Sequence, residues 1–314
     1  MTKTSTNKPT RNKRATRTSS KSTRVSKTSE KPASKSPRKT PSLIPLNINT
    51  SSPVAKMVEI IEPQKSSQDI ILSSENTGLL SGLAEEYKRG ETLRRHGLSV
   101  RSRLLFCGPP GCGKSITAEA FANELNLNLL IVRLDSVVSS FLGETASNLR
   151  SVFEAAEKRP CVLFFDEFDA IAMARKNGTE HGELRRVVNS LLMFIERFEG
   201  KGFLIAATNL EASLDSALWR RFDEVVLFER PTAAKIKSML KLKTKNFPAE
   251  FNIESRAKEL AGFSYSEIER VCIQAIKIAI LNSRKTLSQP DFDKSLKDEK
   301  RRRKIQKNLA PNNR

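Results

Sequence analysis

Eight consecutive residues, Gly108-Pro-Pro-Gly-Cys-Gly-Lys114-Ser115, fit the pattern Gly-x-x-x-x-Gly-Lys-Ser/Thr. Glycines at this spacing let backbone N–H groups turn inward onto an anion. A lysine there reaches the outer phosphates of a nucleoside triphosphate, and a serine hydroxyl can ligate magnesium. The candidate nucleotide contacts are therefore Gly108, Pro109, Pro110, Gly111, Cys112, Gly113, Lys114, Ser115 and Ile116. Further on, Cys161-Val-Leu-Phe-Phe-Asp166-Glu167 is an apolar run that ends in two acids. A carboxylate at the C-terminal end of a buried strand sits at the crevice where open α/β sheets take their ligands. Asp166 is expected in the Mg2+ shell, and Glu167 is expected to orient and polarise an attacking water.

A third run, Phe203-Leu-Ile-Ala-Ala207, leads into Thr208-Asn209, which puts the Asn209 amide where it can hold that water or the outer phosphate. Leu218-Trp-Arg-Arg-Phe-Asp223 then supplies Arg220 and Arg221. Taken alone, paired arginines read as a solvated or salt-bridged surface. Their place after the other motifs points to a functional role. Cys112, a thiol at a helix N-terminus beside Lys114, is a minor candidate for a lowered pKa and sensitivity to oxidants.

These residues need strands and helices to aim them. Short apolar strands are expected at 103–106, 129–134, 161–165, 203–207 and 224–228. Helical patterns fall between and before them, near 78–96, 115–126, 147–158 and 183–198. The last carries Leu184, Val187, Val188, Leu191, Leu192, Ile195 and Phe198 as one apolar stripe. Alternation of this kind implies a parallel sheet covered on both faces. After Pro231 only helical patterns remain, near 232–245, 253–261 and 265–283, so a small helical domain follows the sheet.

The net charge of +20 over 314 residues is unevenly spread. Residues 1–50 hold 13 bases and one acid, residues 294–314 hold nine and two, and the 243 residues between hold 33 and 32. A balanced body excludes a uniformly basic nucleic-acid-binding fold. The expected division is a disordered basic tail at 1–50, a linker with one short strand or helix at 51–77, the nucleotide-binding domain at 78–230, a helical lid at 231–293 and a basic tail at 294–314. Four cysteines without C-x-x-C spacing and only two histidines argue against disulfide scaffolds and zinc sites. With no apolar run long enough to span a bilayer and no apolar signal core, a cytoplasmic protein without a transmembrane segment is expected; nuclear or organellar import stays open.

In this order and spacing, the phosphate loop, the Asp166-Glu167 strand, the Ala206-Ala207-Thr208-Asn209 strand, the paired arginines and the helical lid resemble the AAA branch of the AAA+ ATPases, over roughly 78–293. The resemblance implies a P-loop α/β fold, a five-stranded parallel sheet with an all-α lid, using ATP and Mg2+. It also implies a homo-oligomeric ring, usually hexameric. Asn209 then matches the family's first sensor, and Arg220 and Arg221 match its arginine fingers, which reach a neighbouring subunit's nucleotide. Phe141-Leu142-Gly143 resembles the pore loop that grips a polypeptide; Phe141 and Leu142 simply packing a helix start is the alternative. Gly262-Phe-Ser-Tyr-Ser-Glu267 resembles the family's Gly-x-Ser-Gly-Ala-Asp turn at the adenine, with Tyr265 and Ser266 as departures. The Asp-x-Gly-Gly motif usual upstream of the loop is missing, with Asn76-Thr-Gly-Leu79 in its neighbourhood.

Two functions follow as expectations. One is an ATP-driven protein remodeller that acts alone or delivers substrate to a separate peptidase. The other is a nucleic-acid-associated ATPase recruited through its basic tails, where another acidic polymer would serve equally.

Overall fold

The structure, a computed structural model, describes residues 53–134, 145–169, 182–209 and 216–309. Helix α1 (Pro53–Met57) runs directly into strand β1 (Val58–Ile61), followed by α2 (Ser74–Lys88) and α3 (Gly90–Arg95). Alternation then sets in, with β2 (Arg103–Cys107), α4 (Lys114–Glu124), β3 (Asn128–Val132), α5 (Thr145–Lys158) and β4 (Cys161–Phe165). It continues through α6 (Gly182–Glu196), β5 (Phe203–Thr208), α7 (Ser216–Trp219) and β6 (Glu224–Leu227). Among the described residues the sheet order is β1-β3-β4-β5-β2-β6. The five later strands are parallel, as expected, and β1 adds an antiparallel edge against β3.

The period of two along each strand divides the core into layers. Val162 and Phe164 of β4 pack with Leu104 and Phe106 of β2 against α2 and α4. Leu163, Phe165 and Leu105 point the other way, onto α1, α5 and α6. Each fully buried Leu or Phe contributes about 1.5–3 kcal/mol. That is why strands covered on both faces read as continuous apolar runs. The stripe expected on α6 is buried at Val187, Val188, Leu191, Leu192 and Ile195.

The helix expected over 78–96 is broken in two. Arg89 leaves helical geometry (φ −101°, ψ 16°), and Gly90 packs so closely on Val100 that an added Cβ would lie 3.2 Å from its side chain. Beyond the sheet come α8 (Ala233–Lys243), α9 (Ile253–Glu259), α10 (Tyr265–Leu281) and α11 (Gln289–Leu309). Thr232, Asn252 and Ser264 cap the first three through their side-chain oxygens. Ile236, Leu240, Ile268, Val271, Cys272, Phe292 and Leu296 form their common core.

Helix α11 runs across the boundary at 293, where the charge count changes, and is regular to Leu309. Its packed face is mostly polar. Asp291, Ser295 and Glu299 are buried beside Phe292 and Leu296; Ser295 Oγ donates to Val271 O (2.8 Å) and Glu299 pairs with Arg270 (2.6 Å). Among the described residues, no helix is long and apolar enough to cross a membrane.

Asp223 fixes the start of β6, directly after the arginine pair. Its carboxylate accepts hydrogen bonds from the backbone N–H groups of Ser102 (3.0 Å) and Arg103 (2.9 Å) and from the Arg103 guanidinium (2.5 Å). Burial works to raise its pKa, but the bonds from Arg103 and the two amides outweigh that and hold it below the usual value. A carboxylate with a depressed folded pKa stabilises the fold above its unfolded pKa of about 3.9, and this is lost as pH falls through the folded value. Asp223→Asn should therefore lower the unfolding free energy at pH 7 by about 1–3 kcal/mol. In urea titrations the gap from the natural chain should narrow as pH falls below about 4; a gap that stays constant down to pH 3 would contradict this account.

Candidate nucleotide-binding site

Strand β2 delivers the chain to a place only glycine can pass. At Gly108 (φ 145°) an added Cβ would lie 1.9 Å from the carbonyl oxygen of Phe228, just beyond β6. Gly108 N–H donates to Thr208 O (3.3 Å), and Phe228 N–H donates to Cys107 O (2.7 Å), so the loop springs from between β5 and β6. Gly111 (φ 72°) and Gly113 (φ 100°) complete the turn, and α4 starts at Lys114 with no side-chain cap on its first amides. Those amides and the positive end of the helix dipole face the loop's interior.

Lys114 is only 6% exposed. Its ammonium donates to Gly108 O (2.6 Å), Pro109 O (3.1 Å) and Asn209 Oδ1 (2.8 Å). Burial lowers its pKa, opposed by the nearby carboxylates of Asp166 and Asp169. On the next residue, Ser115 Oγ donates to Asp166 Oδ2 (2.8 Å), and the other oxygen of Asp166 accepts from Glu167 N–H (2.9 Å). Hydroxyl and carboxylate oxygens in contact are the hard donors a small divalent cation takes. Glu167 is exposed and held at φ 51°, a left-handed conformation costing about 1–2 kcal/mol for a residue with a Cβ. Thus Lys114, Ser115, Asp166, Glu167 and Asn209 converge at the C-terminal ends of neighbouring strands.

The arginines stand apart from each other in environment. Arg220 is exposed, whereas Arg221 is half-buried and pairs with Glu196 at the end of α6 (3.3 Å). Phe141, Leu142 and Gly143 lie outside the described residues, as do residues 1–50.

The lid closes onto the loop. Ser266 N–H donates to Gly111 O (3.1 Å), and a Cβ on Gly111 would lie 2.2 Å from Ser266 Oγ. The cavity between them, about 380 Å³, is walled by Ile70, Ile71, Met239 and Tyr265 beside the loop, with Asp166 and Glu167 at its polar end. Burial pushes the Tyr265 phenol up to about 12. The segment Asp69-Ile-Ile-Leu72, inside the expected linker, supplies one wall. Its only sequence signal was an Asp followed by three aliphatics. Asn76–Leu79 instead lies in the first turns of α2, where Asn76 Nδ2 donates to Leu227 O (2.8 Å). Two further groups join the site without a motif to mark them: Asp169, which accepts from Asn209 N–H (3.3 Å), and Thr117, whose hydroxyl is buried at the cavity with no hydrogen-bond partner among the described residues.

The expectation for Cys112 is overturned. The thiol is 3% exposed, and burial raises its pKa against the weaker opposing pull of Arg230 and Lys114. A neutral, enclosed thiol is a poor nucleophile.

Residues 104–230 match the protein family described as "ATPase family associated with various cellular activities (AAA)". The chain is also 57% identical over 257 residues to the uncharacterized AAA family ATPase y4kL of Sinorhizobium fredii, an alignment spanning 82% of this chain and 78% of that protein.

All four cysteines are buried, and none is joined in a disulfide. Burial pushes Cys161 and Cys272 to about 12. Titration with Ellman's reagent at neutral pH should find less than roughly one reactive thiol per folded chain and the full complement in guanidinium. Rapid labelling of Cys112 in the folded protein would refute the enclosed-thiol reading.

Proposed function

The chain belongs to the AAA family of ATPases, and we propose that it hydrolyses ATP, with Mg2+, in a homo-oligomeric ring that remodels polypeptides. ATPase activity in general follows from the family; the division of labour among residues is the proposal. The observation that carries it is the convergence of Lys114, Ser115, Asp166 and Asn209 from separate segments within hydrogen-bond distance.

Lys114 and the amides of Gly111 to Ser115 hold the β and γ phosphates, and Gly108, Pro109, Pro110, Cys112 and Ile116 shape the cradle. Ser115 and Asp166 offer the hard oxygens that fit magnesium, which when bound would neutralise charge on the phosphates. Glu167, exposed at the rim, takes the proton of a water that it orients. Asn209 holds the polar side of the same space. Arg220, exposed, reaches toward a neighbouring subunit's nucleotide, while Arg221 is steadied by Glu196. An arginine supplied across a subunit boundary makes turnover depend on assembly, and arginine fingers contribute about 10³–10⁵ in rate in well-studied phosphoryl transfer. Phe141, Leu142 and Gly143 are proposed to grip the polypeptide, with or without a separate peptidase downstream. A second reading, recruitment to nucleic acid or another acidic polymer, is favoured by the exposed cations Lys300, Arg301, Arg302, Lys304 and Lys307 on the last turns of α11.

The Glu167→Gln variant should keep ATP binding while turnover falls about 10²–10⁴-fold. Retained turnover would remove Glu167 from its role. The same variant, isolated with what it retains, distinguishes a polypeptide from a nucleic acid. Phe141→Ala should leave ATP turnover in place and stop remodelling; remodelling that persists would end the threading model.

A further inference from the structure

Along the last turns of α11 the cations face solvent, with one exception: Arg303 folds back onto the lid. Its Nε lies 3.1 Å from Glu267 Oε1, its terminal nitrogen donates to Gly262 O (3.1 Å), and its guanidinium carbon stands 4.2 Å from the centre of the Phe263 ring. The same turn is approached from the sheet side. Arg230, just before the first lid helix, donates to the same Gly262 carbonyl (3.1 Å) and comes within 3.8 Å of Glu267 Oε2. A glycine at φ 79° presents that carbonyl to both guanidinium groups.

Glu267 has a second task. Its Oε2 accepts from Ser264 N–H (2.6 Å) and Ser264 Oγ (3.0 Å), closing the capping box that starts α10. Ser264 Oγ lies 3.3 Å from Ser266 Oγ, and Ser266 N–H is bonded to Gly111 O (3.1 Å) in the phosphate loop. The space a Cβ on Gly111 would need is filled by these two serines, at 2.2 and 2.9 Å, so the turn and the loop have no slack between them. A displacement of the turn is passed to the loop.

We infer that Arg303 is a positioning residue for the nucleotide site, acting through Glu267 and the Gly262 carbonyl to seat the Ser264–Ser266 turn against Gly111. The inference rests on the reading that residues 108–116 bind the nucleotide. The Glu267 side chain is 13% exposed and that of Arg303 26%, so the pair is less screened than a surface ion pair. Helix α11 thereby becomes part of the apparatus that sets nucleotide affinity. A positioning role of this kind acts on binding and leaves the chemistry to the groups that touch the phosphates.

In the full-length chain, Arg303→Ala should raise both the KM for ATP and the Kd of a fluorescent ATP analogue roughly fivefold to tenfold, with kcat within about twofold. Arg303→Lys, which keeps the charge opposite Glu267, should recover at least half of that change on a logarithmic scale. Lys297→Ala, an exposed cation on the same helix, should leave both constants within about twofold of the natural chain. Unchanged KM and Kd in Arg303→Ala would overturn the inference. So would an equal rise in Lys297→Ala, or a fall in kcat that merely tracks the folded fraction measured by circular dichroism. A natural chain that neither binds nor hydrolyses ATP would instead overturn the reading of the site beneath it.

Discussion

Holding the ammonium of Lys114 inside the protein is the demand from which the rest of the site follows. A buried charge with poor partners costs several kcal/mol, so the fold must bring oxygens to it. Gly108 and Pro109 provide two carbonyls only because the loop doubles back, and the loop doubles back only because Gly108 slips beneath Phe228 without a Cβ. The third oxygen comes from Asn209, which requires β5 to lie beside β2 in the parallel sheet. Strand order, loop shape and the identity of one glycine are thus tied to a single charged group. The ends of β4 and α4 then meet at Ser115 and Asp166 by the same geometry.

The lid solves its packing with fewer apolar residues than the sheet. Helix α11 buries Phe292 and Leu296, then continues its inner face with Ser295 and Glu299, each given a partner on α10. Asp291 is treated likewise by Arg284 (2.6 Å). Buried polar groups with satisfied partners can replace hydrophobic area at little net cost, and they fix one register more tightly than interchangeable aliphatics do. The same economy governs the turn at Gly262–Glu267, where one carboxylate both caps a helix and receives an arginine from another.

The parallel strands and the phosphate loop were legible because both are encoded by short contiguous runs, such as Cys161–Phe165 or Gly108–Ser115. What was less legible depends on partners distant in sequence. Strand β1 has only four residues, of which Glu59 and Ile60 are exposed, and it becomes a strand by pairing with Leu129–Val132. Helix α11 looked like a charged tail because its buried face is written in Ser, Asp and Glu, which count as surface in any hydropathy reading. Ile70 and Ile71 carry no motif and gain meaning only when Tyr265 and Met239 arrive opposite them. Cys112 was misjudged for the complementary reason: its helix terminus and neighbouring lysine are visible in sequence, whereas the enclosure that outweighs them is not.

Strand order also has a consequence in time. The strand bearing the phosphate loop, β2, is flanked by β5 and β6, the last two of the described strands in chain order, while β3 and β4 pair with each other elsewhere in the sheet. During vectorial synthesis β2 therefore leaves the ribosome with neither neighbour in existence. Its apolar residues Leu104, Leu105 and Phe106 wait until Phe203–Thr208 and Glu224–Leu227 have followed. Loop closures this long are slow and leave unpaired strand edges in the meantime. The nascent chain thus spends a stretch of its translation with this apolar segment unpaired, and the site is completed late, when most of its sheet has already been laid down.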